Sequence, residues 1–346
     1  LAETSFAKCL HPPFVNMASA PPVVTSGRAT VKAVPTGDTV VLIGNATNGP
    51  PPELQLSLSD CSAPRLSRGP GTAEEPNAWE AREFLRKLVL GKPVIFRKER
   101  SAGPSNRAFG SLWFVSESGG PGESIAVACL KAGWCGLNNN NRKGGDAAAA
   151  SDTEVTQLAE QEARDAKRGI HSPTAAQSVR EVKWSGVDVA ALVEGYDGKL
   201  ANGIVEYVSN GSNMRVLLMP EMVMVNMGLA GVRCGRVGRP SQPAKVEGEA
   251  ATPAEPGEPF AAEAKHFVET RLLHRQIFLK LVGVDKSGNA VLGTVVHSAG
   301  NISVELLKAG LAKCVEPATS TLCGTQAPLM RAAELGAKSN RTRLWA

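Results

Sequence analysis

Small clusters of arginine and lysine carry the clearest chemistry in this sequence. Most of them fall just before or after segments that are predicted to be strands. The planar guanidinium fork matches phosphate oxygens, so such clusters are typical of surfaces that bind a polyanion. Solvated faces and intrachain ion pairs are the alternative for any single member. The candidate phosphate ligands are Arg65, Arg68, Arg97, Lys98, Arg107, Arg233, Arg236, Arg271, Arg275 and Lys280.

The other residue types that often do chemistry form no catalytic pattern. The five histidines contain no His-Glu-x-x-His pair, and the seven cysteines contain no Cys-x-x-Cys pair. Glycine-rich stretches such as residues 118–122 are expected to be turns, because no Gly-x-x-x-x-Gly-Lys-Ser/Thr segment follows a strand. The sequence therefore argues against a zinc site and a P-loop. Scattered cysteines suit a reducing compartment, so a cytoplasmic location is expected.

Charge and composition limit the class of protein. The 346 residues carry 38 Lys and Arg against 33 Asp and Glu, and the net charge of +5 permits a polyanionic partner without requiring one. Aromatic residues make up only 5%, which argues against a broad stacking platform for bases. No apolar run approaches the length of a membrane span. The chain is long enough for two domains of ordinary size.

The sequence repeats itself. Residues 76–96 return as residues 259–279, and residues 125–134 return as residues 302–311. Each copy is too long to be a solenoid unit and should bury its own core. The predicted organisation is a disordered Pro/Ser/Ala-rich segment at 1–26, a first repeat at 27–173, a connection at 174–199 and a second repeat at 200–346.

Both copies have the same order of predicted elements: strand, strand, strand, helix, strand, strand, helix and a terminal helix. Hairpins are expected at residues 37–38 and 210–211. The first long helix should begin at Pro76, carry apolar residues along one face and end at Gly91. The terminal helix of the first copy is expected over 152–168. Five short antiparallel strands with a helix after the third predict an α+β fold, mainly β, in which each copy is a closed or partly open OB-type barrel.

Several motifs resemble those of the staphylococcal nuclease family. Residues 36–40, Thr-Gly-Asp-Thr-Val, resemble its Asp-Gly-Asp-Thr-Val hairpin, and residues 308–313, Lys-Ala-Gly-Leu-Ala-Lys, resemble its Arg-Gln-Gly-Leu-Ala-Lys motif. The Ala-Arg-Glu-Phe-Leu-Arg-Lys run at 81–87 and the Arg-Ala-Ala-Glu run at 331–334 are similar to the first two repeats of the eukaryotic Tudor staphylococcal nuclease proteins. The resemblance covers nearly everything within 28–346.

This resemblance implies a fold and a function. The fold would be two tandem OB-type barrels, each with five strands and about three packed helices. The function would be that of an RNA-binding scaffold in RNA silencing (RISC-type), splicing or transcription-coactivator complexes, in the cytoplasm and also in the nucleus. The partners would be structured or double-stranded RNA and proteins of those complexes. Because the sequence lacks the family's later repeats and Tudor domain, the chain is expected to be an N-terminal fragment or a short form.

The resemblance also allows the family's metal-dependent nuclease site to be checked residue by residue. Its metal-binding Asp corresponds to Asp38 in the first repeat and to Ser212 in the second. Its second acidic segment corresponds to residues 60–65, where Arg65 takes the place of the catalytic Glu, and residues 232–236 of the second repeat also lack a Glu. The family's mechanism needs a Glu to activate the water. Both repeats therefore lack the group that performs this step.

Both arginines that would clamp the phosphorane are missing as well. The first falls near Gln55 or Ser57 in the first repeat and near Asn226 in the second. The second is replaced by Ser111 and Thr294. Removal of one such group costs on the order of 10² to 10³ in rate, so the loss of three leaves little of the original mechanism.

No catalytic residue is therefore predicted. Asp38 and Asp60 are vestigial candidates, with Asp38 a weak metal ligand, and a turn residue is the simpler role for Asp38. No cofactor is required, and Ca²⁺ enters only if cleavage activity is retained. Three hypotheses stay open: an RNA-binding scaffold with degenerate nuclease sites, a metal-dependent ribonuclease that cleaves structured or double-stranded RNA, and a protein-interaction platform.

Overall fold

A computed structural model of the chain describes residues 26–45, 49–101, 107–138, 147–239, 241, 253–297 and 300–346. The segment at 1–26 that is predicted to be disordered lies outside the described residues except for Ser26, which begins the first strand. Within the described part, strands and helices follow the predicted order in both repeats.

The first repeat is a closed barrel. Its strands are β1 (Ser26–Thr36), β2 (Thr39–Ile43), β3 (Glu53–Leu58), β4 (Cys61–Ser62), β5 (Pro93–Ser101), β6 (Arg107–Val115), β7 (Pro121–Ser124) and β8 (Gly136–Leu137). Five of them form the ring β3-β2-β1-β5-β6, which β3 and β6 close as a parallel pair with Gln55 opposite Arg107. A ring with an odd number of strands cannot alternate direction all the way round. The expectation of purely antiparallel strands is therefore wrong where β3 and β6 meet. This closing parallel pair is called the seam below.

Helices cover one side of this barrel. They are α1 (Ala78–Val89), α2 (Ile125–Lys131) and α3 (Ala147–Asp165). α1 buries Leu85 and Val89, which share one helical face, in the barrel core. Gly91 follows α1 with φ of 76°, a left-handed conformation that costs glycine little because it has no Cβ. α3 begins at residue 147 and ends at residue 165, so it starts and stops earlier than the predicted 152–168.

The connection between the repeats contacts both of them. It contains α4 (Val189–Tyr196). On the first repeat, Arg180 forms an ion pair with Glu74 at 2.9 Å and lies over the ring of Trp79. On the second repeat, Lys183 forms a β-bridge with Val223. The predicted connection is therefore held against both repeats by contacts of neighbouring residues.

The second repeat is built in the same way. Its strands are β9 (Leu200–Asn210), β10 (Asn213–Met219), β11 (Val223–Leu229), β12 (Val232–Cys234), β13 (Gln276–Val284), β14 (Ala290–His297), β15 (Gly300–Asn301) and β16 (Ala312–Cys314). Its helices are α5 (Ala261–Leu272), α6 (Ile302–Lys308), α7 (Ala318–Leu322) and α8 (Ala327–Ser339). The ring is β11-β10-β9-β13-β14, and the closing pair β11 and β14 is again parallel, with Asn226 opposite Ala290. The described residues thus form two closed five-stranded barrels with helices, as predicted for tandem OB-type domains.

Each barrel has a separate apolar core, and a smaller cluster joins the two. The joining cluster includes Leu66 and Trp79 from the first repeat and Ile204 and Leu217 from the second. The two repeats are therefore packed against each other as well as connected. Across the part of the chain that the structure describes, no helix has the length and apolarity needed to cross a membrane.

Buried charges also join the two repeats. Arg82 of α1 is fully buried, and it donates to the Glu206 carboxylate at 3.0 and 2.8 Å and to the main-chain oxygen of Val34. His274 accepts a hydrogen bond from the Val34 amide, and Arg86 donates to the His274 carbonyl. Burial, with the charge of Arg82, holds the pKa of His274 well below its usual range, so this side chain is neutral. Because a buried charge is costly unless it is paired, these contacts favour one arrangement of the repeats.

Candidate nucleic-acid interface

The hairpin that should carry the metal-binding Asp uses this residue for structure. Asp38 lies between β1 and β2, and its Oδ1 accepts hydrogen bonds from the hydroxyls of Thr36 and Thr39 at 2.7 and 3.0 Å. Its Oδ2 accepts from the Ala63 amide at 3.1 Å. The carboxylate therefore ties the hairpin to the chain that follows β4.

The second repeat ties the equivalent hairpin with a hydroxyl. The Ser212 hydroxyl accepts a hydrogen bond from the Cys234 amide at 3.2 Å, which matches the contact between Asp38 and Ala63. Asn210 completes the turn by accepting from the Ser212 amide at 2.9 Å. A charged group is thus not needed for this structural contact.

No carboxylate cluster suited to a divalent cation lies at this hairpin in the described residues. The described group of ligand atoms close enough to share an ion is Glu53, His266 and Glu269. The Lys32 ammonium already forms ion pairs with both of these glutamates. Asp38 lies outside that group, and three hydrogen bonds use its carboxylate. The residues present at the hairpin therefore do not fit Ca²⁺, and a calcium requirement stays a prediction of the ribonuclease hypothesis alone.

Two serines of the first repeat, Ser57 and Ser111, are among the residues at which the resemblance implies an arginine of the family. Ser57 and Ser111 are buried, and each contacts a charged side chain from a neighbouring strand. Ser111 donates to a Glu99 oxygen at 2.6 Å. Ser57 accepts hydrogen bonds from Nε and Nη2 of Arg107 at 3.2 and 3.1 Å. Arg107 thus brings a guanidinium group to the part of β3 where the resemblance implies an arginine.

Sequence reasoning named Arg107 as a phosphate ligand but missed this placement. The signal is the register of the seam, in which Gln55 lies opposite Arg107. That pair forms only when the barrel closes, so the sequence pattern of β3 alone or of β6 alone does not indicate it.

Arg107 belongs to a row of cations that lie on aromatic rings along β5 and β6. Arg100 lies 4.1 Å and Arg107 5.5 Å from the centre of the Phe109 ring. Arg97 lies 5.4 Å from the centre of the Trp113 ring. Such contacts hold a guanidinium in place while its edge can still meet a ligand. These five residues are named the β5–β6 surface below.

The other predicted cations of the first repeat differ in exposure. Arg65, which the resemblance sets at the position of the catalytic Glu, is 81% exposed and lies 3.5 Å from Glu75. Arg68 is exposed in the following loop, and Lys98 is half-buried in β5. Asp60, the second vestigial acid, is half-buried in the turn between β3 and β4. Since an exposed ion pair is weak, Arg65 can exchange Glu75 for a phosphate.

The second repeat has its own exposed cations. Arg233 is 73% exposed, with a Glu258 oxygen 3.8 Å away. Arg236 and Lys280 are also exposed. Arg236 corresponds to Arg65, because the Glu258 amide donates to the Arg236 carbonyl as the Glu75 amide does to that of Arg65. Both repeats therefore carry an exposed arginine at the position where the resemblance implies the family's catalytic Glu.

Two of the predicted phosphate ligands, Arg271 and Arg275, lie outside the β5–β6 surface and the loops that carry Arg65 and Arg236. Arg271 is on α5, 3.5 Å from the centre of the Phe267 ring, and donates to the Phe267 carbonyl. Arg275 is half-buried beside Gly91 of the first repeat, and its Nη1 has no hydrogen-bond partner among the described residues. Burial lowers the pKa of Arg275. The expectation that Arg275 flanks the old active site is corrected, because packing between the repeats covers it.

A cleft of about 490 Å³ in the second repeat gathers cations that sequence reasoning did not group. Arg233, Lys313 and Arg343 line it. Arg343 forms an ion pair with Glu263 at 2.9 Å, and the Lys313 ammonium lies over the Trp345 ring. These residues are far apart in sequence and meet because the segment after α8 returns to β16. The cleft adds a second basic surface.

Comparison with known proteins shows which family this chain resembles. The model of the family described as "Staphylococcal nuclease homologue" matches residues 226–346. The chain is 38% identical over 340 residues to Staphylococcal nuclease domain-containing protein 1 of Drosophila melanogaster, covering 94% of this chain and 34% of that protein. It is 34% identical over 360 residues to Ribonuclease TUDOR 2 of Arabidopsis thaliana, covering 91% of this chain and 36% of that protein.

A further relative gives the same picture. Staphylococcal nuclease domain-containing protein 1 of Schizosaccharomyces pombe is 32% identical over 297 residues, covering 85% of this chain and 32% of that protein. The chain therefore spans about a third of the length of these curated relatives. The predicted resemblance is confirmed by matches over most of this chain.

Proposed function

The chain belongs to the Tudor staphylococcal nuclease family, and from this premise we propose that it binds RNA without cleaving it. The observation that carries the proposal is the exchange at the old nuclease site. Arg65 stands exposed where the family has its catalytic Glu, while the Asp38 carboxylate is used for hydrogen bonds within the protein. A group that activates water has thus been replaced by one that binds phosphate.

The exposed cations favour recognition of the RNA backbone. The β5–β6 surface and Arg65 in the first repeat, with Arg233 and Arg236 in the second, offer guanidinium groups but few free aromatic faces. Contacts of this kind read the shape of structured or double-stranded RNA and carry little sequence preference. Binding should therefore weaken steeply with salt.

On this proposal the protein is a scaffold. It holds RNA for proteins of RNA silencing, splicing or transcription, in the cytoplasm and also in the nucleus. Support for this wider role comes from the resemblance to the Tudor staphylococcal nuclease proteins, and the chain spans about a third of the length of the curated relatives it matches. Crosslinking of the protein to RNA in separated cytoplasmic and nuclear fractions tests it.

The direct experiment is gel-shift and cleavage of labelled double- and single-stranded RNA, with Ca²⁺ or with EDTA. Binding should persist in EDTA, and no cleavage product should form in either condition. Combining Arg65→Ala, Arg68→Ala and Arg236→Ala should weaken binding by roughly 10-fold or more, because each lost phosphate contact lowers the salt-dependent affinity. Arg331→Ala is the matched control, since this exposed arginine on α8 pairs with Glu316. Retained affinity in the triple variant would contradict the proposal.

A metal-dependent ribonuclease is the second candidate, and the name of the Arabidopsis relative, Ribonuclease TUDOR 2, favours it. It requires Ca²⁺-dependent cleavage that disappears in Asp38→Asn while the folded fraction is unchanged. The protein-interaction platform also stays a prediction. Its surface would be the apolar face of the second barrel, where Leu200, Phe278 and Val296 are 56%, 53% and 45% exposed.

A further inference from the structure

We propose that Arg107 is a phosphate ligand that the first repeat supplies from β6 in place of the arginine lost from β3, and that Asp38 positions it through two hydroxyls. The ligand is a backbone phosphate of RNA. This inference rests on the proposed RNA binding and assigns one contact within it.

The seam of the barrel puts Arg107 at the lost position. β3 and β6 run parallel there, with Gln55 opposite Arg107 and Ser57 opposite Phe109. Gln55 and Ser57 are the residues nearest to the family's first arginine. Since neighbouring strands lie about 4.8 Å apart, a long side chain on β6 reaches the same place as one on β3.

A chain of hydrogen bonds links Arg107 to Asp38. The Asp38 carboxylate can only accept, so the Thr39 hydroxyl donates its proton to Oδ1 at 3.0 Å. Thr39 must then accept from the Ser57 hydroxyl, 2.9 Å away, and Ser57 in turn accepts from Arg107. Every donor points the same way, from guanidinium to carboxylate. This set of four residues is named the hydroxyl relay.

The relay leaves Arg107 able to bind a ligand. It uses Nε and one side of Nη2, so the Nη1 donors and the other Nη2 hydrogen can meet phosphate oxygens. Arg107 is exposed, and among the described residues no ion pair joins it to a carboxylate. The Phe109 ring supports it from β6 and also supports Arg100. The guanidinium is therefore preorganised, which reduces the entropy lost on binding.

The second repeat lacks the whole relay. Strand register relates the four positions Asp38, Thr39, Ser57 and Arg107 to Ser212, Asn213, Gly228 and Ala290. Ser212 keeps the backbone contact of the hairpin without a charge. If Asp38 served only that contact, its charge would have no further use in the first repeat. The absence of all four groups together is what is expected of residues that act as one unit.

The test is a titration of fluorescent single-stranded and double-stranded RNA by anisotropy across a series of KCl concentrations. Arg107→Gln should weaken binding about 3- to 10-fold and lower the slope of log affinity against log salt by about 0.7 on a single strand or 0.9 on a duplex, the value of one phosphate contact. The strand type with the larger loss is the preferred ligand. Arg331→Gln, an exposed arginine paired with Glu316, is the control that should change neither quantity.

Positioning is tested separately from charge. Asp38→Asn and Ser57→Ala keep the charge of Arg107 but remove a group that positions it, so each should lower affinity by a smaller factor and leave the salt slope at the wild-type value. In the Arg107→Gln background, Gln55→Arg returns a guanidinium to the opposite side of the seam and should restore the slope. Thermal unfolding of each variant shows that the barrel is intact.

The outcomes separate this inference from the proposed function. Unchanged affinity and slope in Arg107→Gln, with binding lost in the Arg65, Arg68 and Arg236 triple variant, would overturn the inference and leave RNA binding standing. No restoration of the slope by Gln55→Arg would also count against it. A wild-type chain that binds no RNA would overturn both.

Discussion

Lys32 and Glu206 occupy equivalent positions on β1 and β9, yet they carry opposite charges. Lys32 pairs with Glu269 on α5 of the second repeat, and Glu206 pairs with Arg82 on α1 of the first. The contact between the repeats is therefore complementary in charge. Two copies of one barrel can thus be matched to each other by the sign of a few buried groups, because like-charged surfaces would leave those groups unpaired.

The outward faces of the two barrels differ as well. At equivalent sheet positions the first repeat has Ile95, Arg97 and Trp113, and the second has Phe278, Lys280 and Val296. The first face is a set of cations on aromatic rings, whereas the second exposes apolar side chains. The shared barrel thus carries two surfaces of different chemistry, and the proposed phosphate contacts at β5 and β6 belong to the first alone.

The largest expected effect comes from breaking the charge match between the repeats. Glu206→Lys places a cation beside Arg82, which is fully buried and then keeps as counterion only Glu83 at 3.3 Å among the described residues, a carboxylate that Arg86 also uses. Removing one partner of a buried pair costs about 3–5 kcal/mol, so the free energy of unfolding should fall by at least that order. Denaturant unfolding followed by circular dichroism measures it.

The control for this prediction is a reversal of charge on an exposed surface. Glu194→Lys on α4 makes the same Glu-to-Lys change at an exposed position. It should lower the free energy of unfolding by less than about 0.5 kcal/mol. Equal losses in the two variants would mean that the buried pair does not select the arrangement of the repeats.

A smaller effect follows from His274, whose equivalent in the first repeat is Gly91. The folded-state pKa of His274 is lowered by burial, so below pH about 6.5 the unfolded chain takes up a proton that the native chain does not. Stability is therefore fully present above that pH and falls as pH decreases, by at most about 1.4 kcal/mol per pH unit. His274→Asn should flatten this slope because it removes the titrating imidazole. The local structure should be kept, since Asn tolerates the left-handed φ of 56° and can accept a hydrogen bond from the Val34 amide.

Unfolding free energies measured from about pH 7.5 to about pH 5.5 test this comparison. The wild-type slope should exceed that of His274→Asn even if the variant is less stable throughout. Parallel curves would mean that another group governs the acid sensitivity of the contact.

Sequence was sufficient where the physical signal is local. The hairpin turn at Asp38 and the apolar face of α1, which ends at Val89 just before Gly91, each depend on residues close together in the chain, and the structure contains both. The parallel seam could not be predicted in this way, because it depends on ring closure. The burial of Arg275 and the pairing of Arg82 with Glu206 depend on how the barrels meet, which no periodicity records.

The smallest expected effect is a transfer of the hydroxyl relay's outer half to the second repeat. Gly228→Ser with Ala290→Arg places a hydroxyl and a guanidinium at the positions equivalent to Ser57 and Arg107. A Cβ at Gly228 would lie 3.2 Å from Leu292 Cδ2 and 3.3 Å from Asn213 Oδ1, both on movable side chains, so the serine fits after a small shift. RNA affinity should rise about 3-fold, with a salt slope steeper by about 0.7 to 0.9. Ala290→Arg alone adds the same charge without the hydroxyl, so equal gains in the single and double variants would show that charge suffices and that the serine orients nothing.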